Sequence, residues 1–224
     1  MKKPILIIMA RAPRFGAVKT RLAKDLGQLP AWRFYVNTLR ESLRRLTKKD
    51  HWDIWLHVTP DRERRALGQW PASAGLLPQG RGGLGKKMER GLTAFSRGTP
   101  VVLIGSDIPG ITTNHILRAF KALEWADIAL GPATDGGYWL VGFSNRRPSY
   151  RPFNNVRWST SQALADTLNG FANRRVALVD CMRDIDNGES YNQLAQAYRA
   201  RVELQSSKNV VTNQGPYRQK RISS

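Results

Sequence analysis

The residues able to do chemistry in this chain cluster in short segments directly behind apolar runs. In open α/β sheets ligands collect beyond the carboxyl ends of strands, so these are the positions to read first. Behind the run Pro4–Ala10 comes Arg11–Arg21, which carries Arg11, Arg14, Lys19 and Arg21 around Gly16 and leads into a helical start. Fixed cations beside a helix start suit phosphate groups. The segment is not a Walker A loop, because Val18 separates Gly16 from Lys19 and the earlier glycine is missing. The alternative is a solvated basic loop.

Behind Val101–Ile104 stands Gly105-Ser106-Asp107-Ile108-Pro109, which puts a carboxylate at a strand end in a turn that Pro109 enforces. A hard cation such as Mg²⁺ takes such oxygens; the competing role is a cap for the turn or for a helix starting near Thr112. Ala133–Tyr138 holds Asp135, Gly136 and Gly137, and its glycines permit positive φ or close approach to a ligand. A plain hairpin turn explains the same Asp-Gly pair. Asp184 and Asp186 follow Arg175–Val179 and point to one side of an extended segment, where they share a cation or cap the last helix.

Other features carry less. Gly80-Arg81-Gly82-Gly83-Leu84-Gly85 matches G-x-G-x-x-G, with Asp107 closing the next strand. The run before it, Gly75–Leu77 followed by Pro78, is a poor buried strand, so a dinucleotide site is not favoured. His51, His57 and His115 form no acid–base constellation with Ser or Cys. Cys181, the single cysteine, rules out an internal disulfide and points to a reducing compartment.

The elements that must position these groups alternate. The continuous apolar run Pro4–Ala10 reads as a strand buried on both faces of a parallel sheet. From Pro30 to about Lys48, Trp32, Tyr35, Val36, Leu39, Leu43 and Leu46 recur at helical spacing. Strands follow at Asp53–Val58, Gly75–Leu77, Val101–Ile104, Asp127–Leu130, Tyr138–Phe143 and Arg175–Val179. Helices are expected at Arg62–Gly68, Leu84–Phe95, Ile116–Leu123, Thr160–Phe171 and Tyr191–Val202. This rhythm predicts one three-layer α/β domain with a mostly parallel central sheet over residues 1–203, and a basic, disordered tail over 204–224.

With 224 residues, 41% of them hydrophobic, the chain can bury a full core, which excludes a mostly disordered chain. Its opening apolar stretch is too short for a signal or a membrane span, so a soluble, cytoplasmic protein is expected. The balance of 36 Lys and Arg against 17 Asp and Glu leaves +19, which attracts phosphorylated small molecules, nucleic acid or anionic membrane. No nucleic-acid motif is present, so nucleic acid is a possible but disfavoured partner.

Taken in order, Met9–Pro13, Gly16–Leu22, Gln79–Gly85, Gly105–Pro109 and Gly131–Tyr138 resemble a bacterial glycosyltransferase-like family associated with radical-SAM enzymes and arsenosugar synthesis. That family lies within the nucleotide-diphospho-sugar transferase (GT-A) superfamily, near the phospholactate guanylyltransferases and molybdenum-cofactor nucleotidyltransferases. The resemblance spans about residues 4–200. It implies a Rossmann-like α/β/α fold, a nucleotide or nucleotide-sugar donor in the amino-terminal half, a small-molecule acceptor, and Mg²⁺ or Mn²⁺. It further implies that Arg11, Gly16, Lys19, Arg21 and Gly85 hold nucleotide phosphates, with Lys19 and Asp107 catalytic. Asp107, Asp184 and Asp186 are then the metal ligands, and Asp135, Gly136, Gly137 and Tyr138 the acceptor motif. The family often has an acid where this chain has Gly83, so any role of that acid is absent here or taken elsewhere. The resemblance favours glycosyl transfer from a nucleotide-sugar, with nucleotidyl transfer from a nucleoside triphosphate as the alternative; a GT-A-like domain that has lost catalysis is a further reading that Gly83 allows.

Overall fold

A computed structural model describes residues 2–47, 50–65, 70, 74–146 and 152–197. The expected tail at 204–224 lies outside them. Seven strands form one sheet in the order β3-β2-β1-β4-β6-β5-β7. They are β1 (Ile5–Arg11), β2 (Asp53–Thr59), β3 (Gly75–Pro78), β4 (Val101–Gly105), β5 (Ile128–Pro132), β6 (Tyr138–Phe143) and β7 (Val176–Leu178). All neighbours run parallel except β6, which is antiparallel to both β4 and β5. The expected mostly parallel α/β sheet is therefore the one observed.

The helices are α1 (Thr20–Leu26), α2 (Gln28–Leu46), α3 (Leu84–Thr93), α4 (Thr113–Trp125) and α5 (Ala163–Gly170), with a further helix, α6, over residues 188–197. Leu6, Ile8, Leu56, Val102 and Ile104 face one core, closed by Tyr35, Leu39 and Leu43 of α2 and Ile116 and Leu123 of α4. Ile5, Ile7, Val101 and Leu103 face the other, closed by Met88 and Leu92 of α3 and by Phe153 and Phe171. Alternate residues of one strand thus enter opposite cores, which is why these strands read as unbroken apolar runs.

Several boundaries differ from the sequence reading. Helix α2 begins at Gln28, so Pro30 sits in the first turn, where its missing N–H costs nothing. Helix α1 is a separate short piece, divided from α2 by Gly27 at φ 87°. A 3-10 helix, Asp61–Arg65, occupies the start of the expected Arg62–Gly68 helix. Helix α5 begins at Ala163 rather than Thr160, behind Ser159 at φ 61°. The last helix starts at 188, before Tyr191, and is described to 197.

The topology fixes where a ligand can sit. From β1 the chain moves outward through β2 to β3, then returns to place β4 on the other side of β1. Between β1 and β4 the connections depart in opposite directions, and a crevice opens at the strands' carboxyl ends. Met9 pairs with Gly105 there, so the Arg11–Arg21 loop and Asp107 emerge side by side.

Candidate functional site

The crevice is a cleft of about 780 Å³, within the range of small-ligand sites. On its floor Tyr35 of α2, only 4% exposed, ties the two strand ends together. Its hydroxyl donates to the Arg11 carbonyl at 2.7 Å, accepts from the Arg11 N–H at 2.9 Å and lies 3.3 Å from Ser106 Oγ. Helical periodicity made Tyr35 look like one more core residue, and nothing in the sequence marks its hydroxyl.

Lys19 is the centre of the site. It precedes α1 in the left-handed region, at φ 48° and ψ 46°, a conformation that costs a non-glycine residue about 1–3 kcal/mol and persists only where surroundings impose it. Its side chain is 6% exposed, and Nζ donates to Asp107 at 3.0 Å and to Asp186 at 2.6 Å. Burial disfavours the ammonium, but the pull of Asp107 and Asp186 outweighs it and Lys19 lies above its ordinary pKa. The group is therefore a fixed cation, not part of a solvated loop.

The capping alternatives for the acids do not hold. Helix α4 is capped by Thr112, whose Oγ1 accepts from the His115 N–H while His115 Nδ1 accepts from the Thr112 N–H, so Asp107 takes no part in the cap. The start of α6 is served by Asn187 Oδ1, which accepts from Ser190 N–H at 2.9 Å, and by Asp25, which accepts from Gly188 N–H at 2.7 Å. Ile185 is buried, and the carboxylates on either side of it, Asp184 and Asp186, line the cleft. Burial pushes Asp184 up to about 6, helped by the negative charges of Asp135, Asp186 and Asp107.

The other site candidates divide. Arg11, Arg21, Asp135, Gly137 and Tyr138 line the cleft with Lys19, Asp107, Asp184 and Asp186. Asp135 turns the β5–β6 hairpin, accepting from Gly137 N–H at 2.8 Å, and lines the cleft as well. Burial pushes the Tyr138 phenol well above its ordinary pKa and keeps it neutral. Gly16, Gly85 and Gly136 are not among the residues that line the cleft. Gly16 takes φ 73° within its turn, Gly85 lets α3 reach Phe153 and Trp158, and Gly136 abuts the Ser161 carbonyl. Gly83 is the exposed residue before α3, with open space around the position of a Cβ, so packing does not dictate its lack of an acid.

The G-x-G-x-x-G loop joins edge strand β3 to α3, and its backbone is already engaged. Gly80 N–H donates to Asp61, and the Arg90 guanidinium donates to the carbonyls of Gln79 and Arg81. Sequence reasoning missed Gln79, Leu84, Lys87 and Trp158, which also line the cleft; their types carry no positional signal, because only the packing of α3 and the 152–162 segment brings them to the wall.

A divalent metal was expected from the resemblance. Among the described residues no three acidic, histidine or cysteine side chains converge to cage an ion. The donors are oxygen-only, and Asp107 and Asp186 keep 40% and 47% of their side chains exposed. That set fits Mg²⁺ held by one or two carboxylates together with ligand phosphates and water.

The family model described as "Uncharacterized protein conserved in bacteria (DUF2064)" matches residues 42–160. The chain belongs to the DUF2064 family. No curated protein matches it. Among solved structures, this DUF2064 chain resembles a Desulfovibrio desulfuricans G20 protein described as a nucleotide-diphospho-sugar transferase, at 28% identity over 84% of both chains with a TM-score of 0.75. It shares its fold with the 4-diphosphocytidyl-2C-methyl-D-erythritol synthase of Anaerococcus prevotii, at 14% identity over 89% of this chain and 99% of that one, TM-score 0.57. It also shares it with a CMP:2-keto-3-deoxy-manno-octonic acid synthetase solved with CTP, at 10% identity over 89% and 99%, TM-score 0.54. The DUF2064 fold is thus that of the nucleotide-diphospho-sugar transferases, as the sequence motifs implied.

Proposed function

We propose that the protein is a divalent-metal-dependent transferase that uses a nucleotide donor, with glycosyl transfer from a nucleotide-sugar to a small-molecule acceptor as its reaction. The observation that carries this reading is the buried Lys19 ammonium between Asp107 and Asp186 at the β1–β4 switch point. Buried cations beside open carboxylates match a diphosphate that gains charge as its bond to the sugar breaks. Lys19 binds and orients the diphosphate, while Arg21 and Arg11 at the mouth draw it in. Asp107, together with Asp186 or Asp184, would hold Mg²⁺ or Mn²⁺, which neutralises phosphate charge when bound. Asp135, Gly137 and Tyr138 face the acceptor.

A second reading, nucleotidyl transfer from a nucleoside triphosphate to a phosphorylated acceptor, rests on the same loop, where Arg11, Lys19 and Arg21 offer enough charge for a triphosphate. No helix among the described residues is long and apolar enough to cross a membrane, and we read the enzyme as cytoplasmic.

The test is a thermal-shift screen against nucleoside triphosphates and nucleotide-sugars, with and without Mg²⁺, on wild type, Lys19→Ala and Asp107→Ala. A ligand bound only by the folded state raises the melting temperature. Metal-dependent stabilisation by a nucleotide-sugar that both variants lose is the expected result. Preference for a triphosphate selects the second reading. Equal stabilisation of wild type and both variants rejects both.

A further inference from the structure

The cleft differs in chemistry from one side to the other. Part of its lining comes from the first turns of α3, the start of β6 and the segment 158–161. This part mixes apolar surface with hydroxyls. Leu84 keeps 43% of its surface exposed on the first turn of α3. The Trp158 ring lies 6.2 Å from Tyr138 and 6.2 Å from Phe153, so it is braced from behind while it lines the cleft. Gly85 permits that bracing, since a Cβ there would come within 2.9 Å of Phe153 and 3.1 Å of Trp158.

The segment carrying Trp158 is anchored at both ends. Arg157 donates to Asp166 of α5 through its backbone N–H and its guanidinium at 2.8–2.9 Å. Leu164 N–H donates to the Gly136 carbonyl at 3.0 Å. Thr160 Oγ1 is spent on the Arg157 carbonyl, whereas the hydroxyls of Ser159 and Ser161 have no partner among the described residues. Both serines are exposed and line the cleft.

The charges on this side are those of Asp135 and Lys87. Asp135 commits one oxygen to Gly137 N–H, and Asp184 feels Asp135 as its strongest charged neighbour. Lys87 of α3 is the cation that this wall contributes to the cleft. A phosphate placed against Trp158 would therefore meet the Asp135 carboxylate, with Lys87 as the cation from this wall.

We infer that this half of the cleft takes an uncharged, hydroxyl-bearing acceptor with an apolar face, stacked on Trp158 against Leu84, its hydroxyls bound by Ser159, Ser161 and the second oxygen of Asp135, and that it excludes phosphorylated acceptors. The inference deepens the transferase reading above and rests on it. It favours glycosyl transfer, because the nucleotidyl alternative requires a phosphorylated acceptor.

The experiment compares n-hexyl β-D-glucopyranoside with glucose 1-phosphate, titrated by NMR onto the full chain as wild type, Leu84→Ser, Trp158→Ala and Lys87→Ala. The expected result is binding of the hexyl glucoside that weakens about tenfold in Leu84→Ser and in Trp158→Ala, with no glucose 1-phosphate binding that depends on Trp158 or Lys87. Leu84 is half exposed, so Leu84→Ser carries the test alone should Trp158→Ala lose its circular dichroism. Failure of the hexyl glucoside to bind, binding unaffected by Leu84→Ser, or glucose 1-phosphate binding that Lys87→Ala removes, each overturns the inference. UDP, GDP and CDP titrated with Mg²⁺ onto the same preparation report on the donor half separately. Nucleotide binding without hexyl glucoside binding leaves the transferase reading standing and removes this one. The reverse supports the subsite and removes the transferase reading.

Discussion

Lys19 shows how much one side chain does here. Its ammonium separates two carboxylates that would otherwise repel, so Lys19→Ala is expected to cost about 1–2 kcal/mol of stability in urea unfolding, the half-open carboxylates keeping the loss below that of a fully buried pair. Transfer activity should fall about 10²–10³-fold, as for loss of one preorganised charge-stabilising donor. Wild-type turnover in Lys19→Ala would remove it from the machinery. Asp184 gives the pH signature. Its folded pKa, about 6, exceeds the ordinary 3.8, so the folded state binds the proton more tightly than the unfolded one. The metal-free protein should therefore gain stability as pH falls from about 7 to about 5, and Asp184→Asn should lose that gain. Melting curves in chelator across this range check it; identical slopes for the two proteins reject it.

At the scale of elements, two contacts hold the site's parts in register. Gly136 takes φ 84°, and a Cβ there would lie 2.3 Å from the Ser161 carbonyl oxygen. Gly136→Ala must strain the β5–β6 turn or push the 158–161 segment away, at about 1–3 kcal/mol by denaturant unfolding. A stability equal to wild type would show that the turn and segment are not packed as described. Asp25 on α1 accepts from Gly188 N–H and so docks α6, with Asp186 just before it, onto the helix that follows Lys19. Asp25→Ala is expected to cost about 1 kcal/mol and to speed amide hydrogen exchange over residues 188–197 ahead of the β1 and β4 amides. Uniform exchange across the chain would refute a local docking role. These links were not legible in the chain. Helix α1 has seven residues and one buried side chain, Leu22, too little for a periodic signal. Strands β1 and β4 and helices α2, α3 and α4 were legible because each presents a long or strongly periodic apolar pattern to a core.

For the whole molecule the dominant quantity is the charge of +19. Self-repulsion of that size weakens the compact state and is screened by salt. The melting temperature should therefore rise as NaCl goes from about 0.05 to 0.5 M. Polyanions should bind with affinity that falls steeply with salt and does not change in Asp107→Ala. Thermal shifts and heparin elution measure both effects. Polyanion binding that Asp107→Ala abolishes would move the basic surface into the cleft and contradict the separation drawn here.

By itself the sequence determined the strands and the longer helices, with the loops that follow them, because burial of an apolar run or stripe is a local property of the chain. The carboxyl-end rule then pointed to Lys19, Arg21, Asp107, Asp135, Asp184 and Asp186 without any knowledge of their distances. Only the tertiary structure decided that Lys19 meets Asp107, 88 residues away, and Asp186, 167 residues away. That meeting depends on β4 crossing back to pair with β1 and on α6 docking against α1, and strand order is set by how the crossover helices cover the two faces of the sheet. It likewise decided that Gly16, Gly85 and Gly136 serve turns and close packing, and that Tyr35 and Trp158 face the cleft, since the direction of a side chain across a layer boundary is fixed by neighbours the linear pattern does not contain.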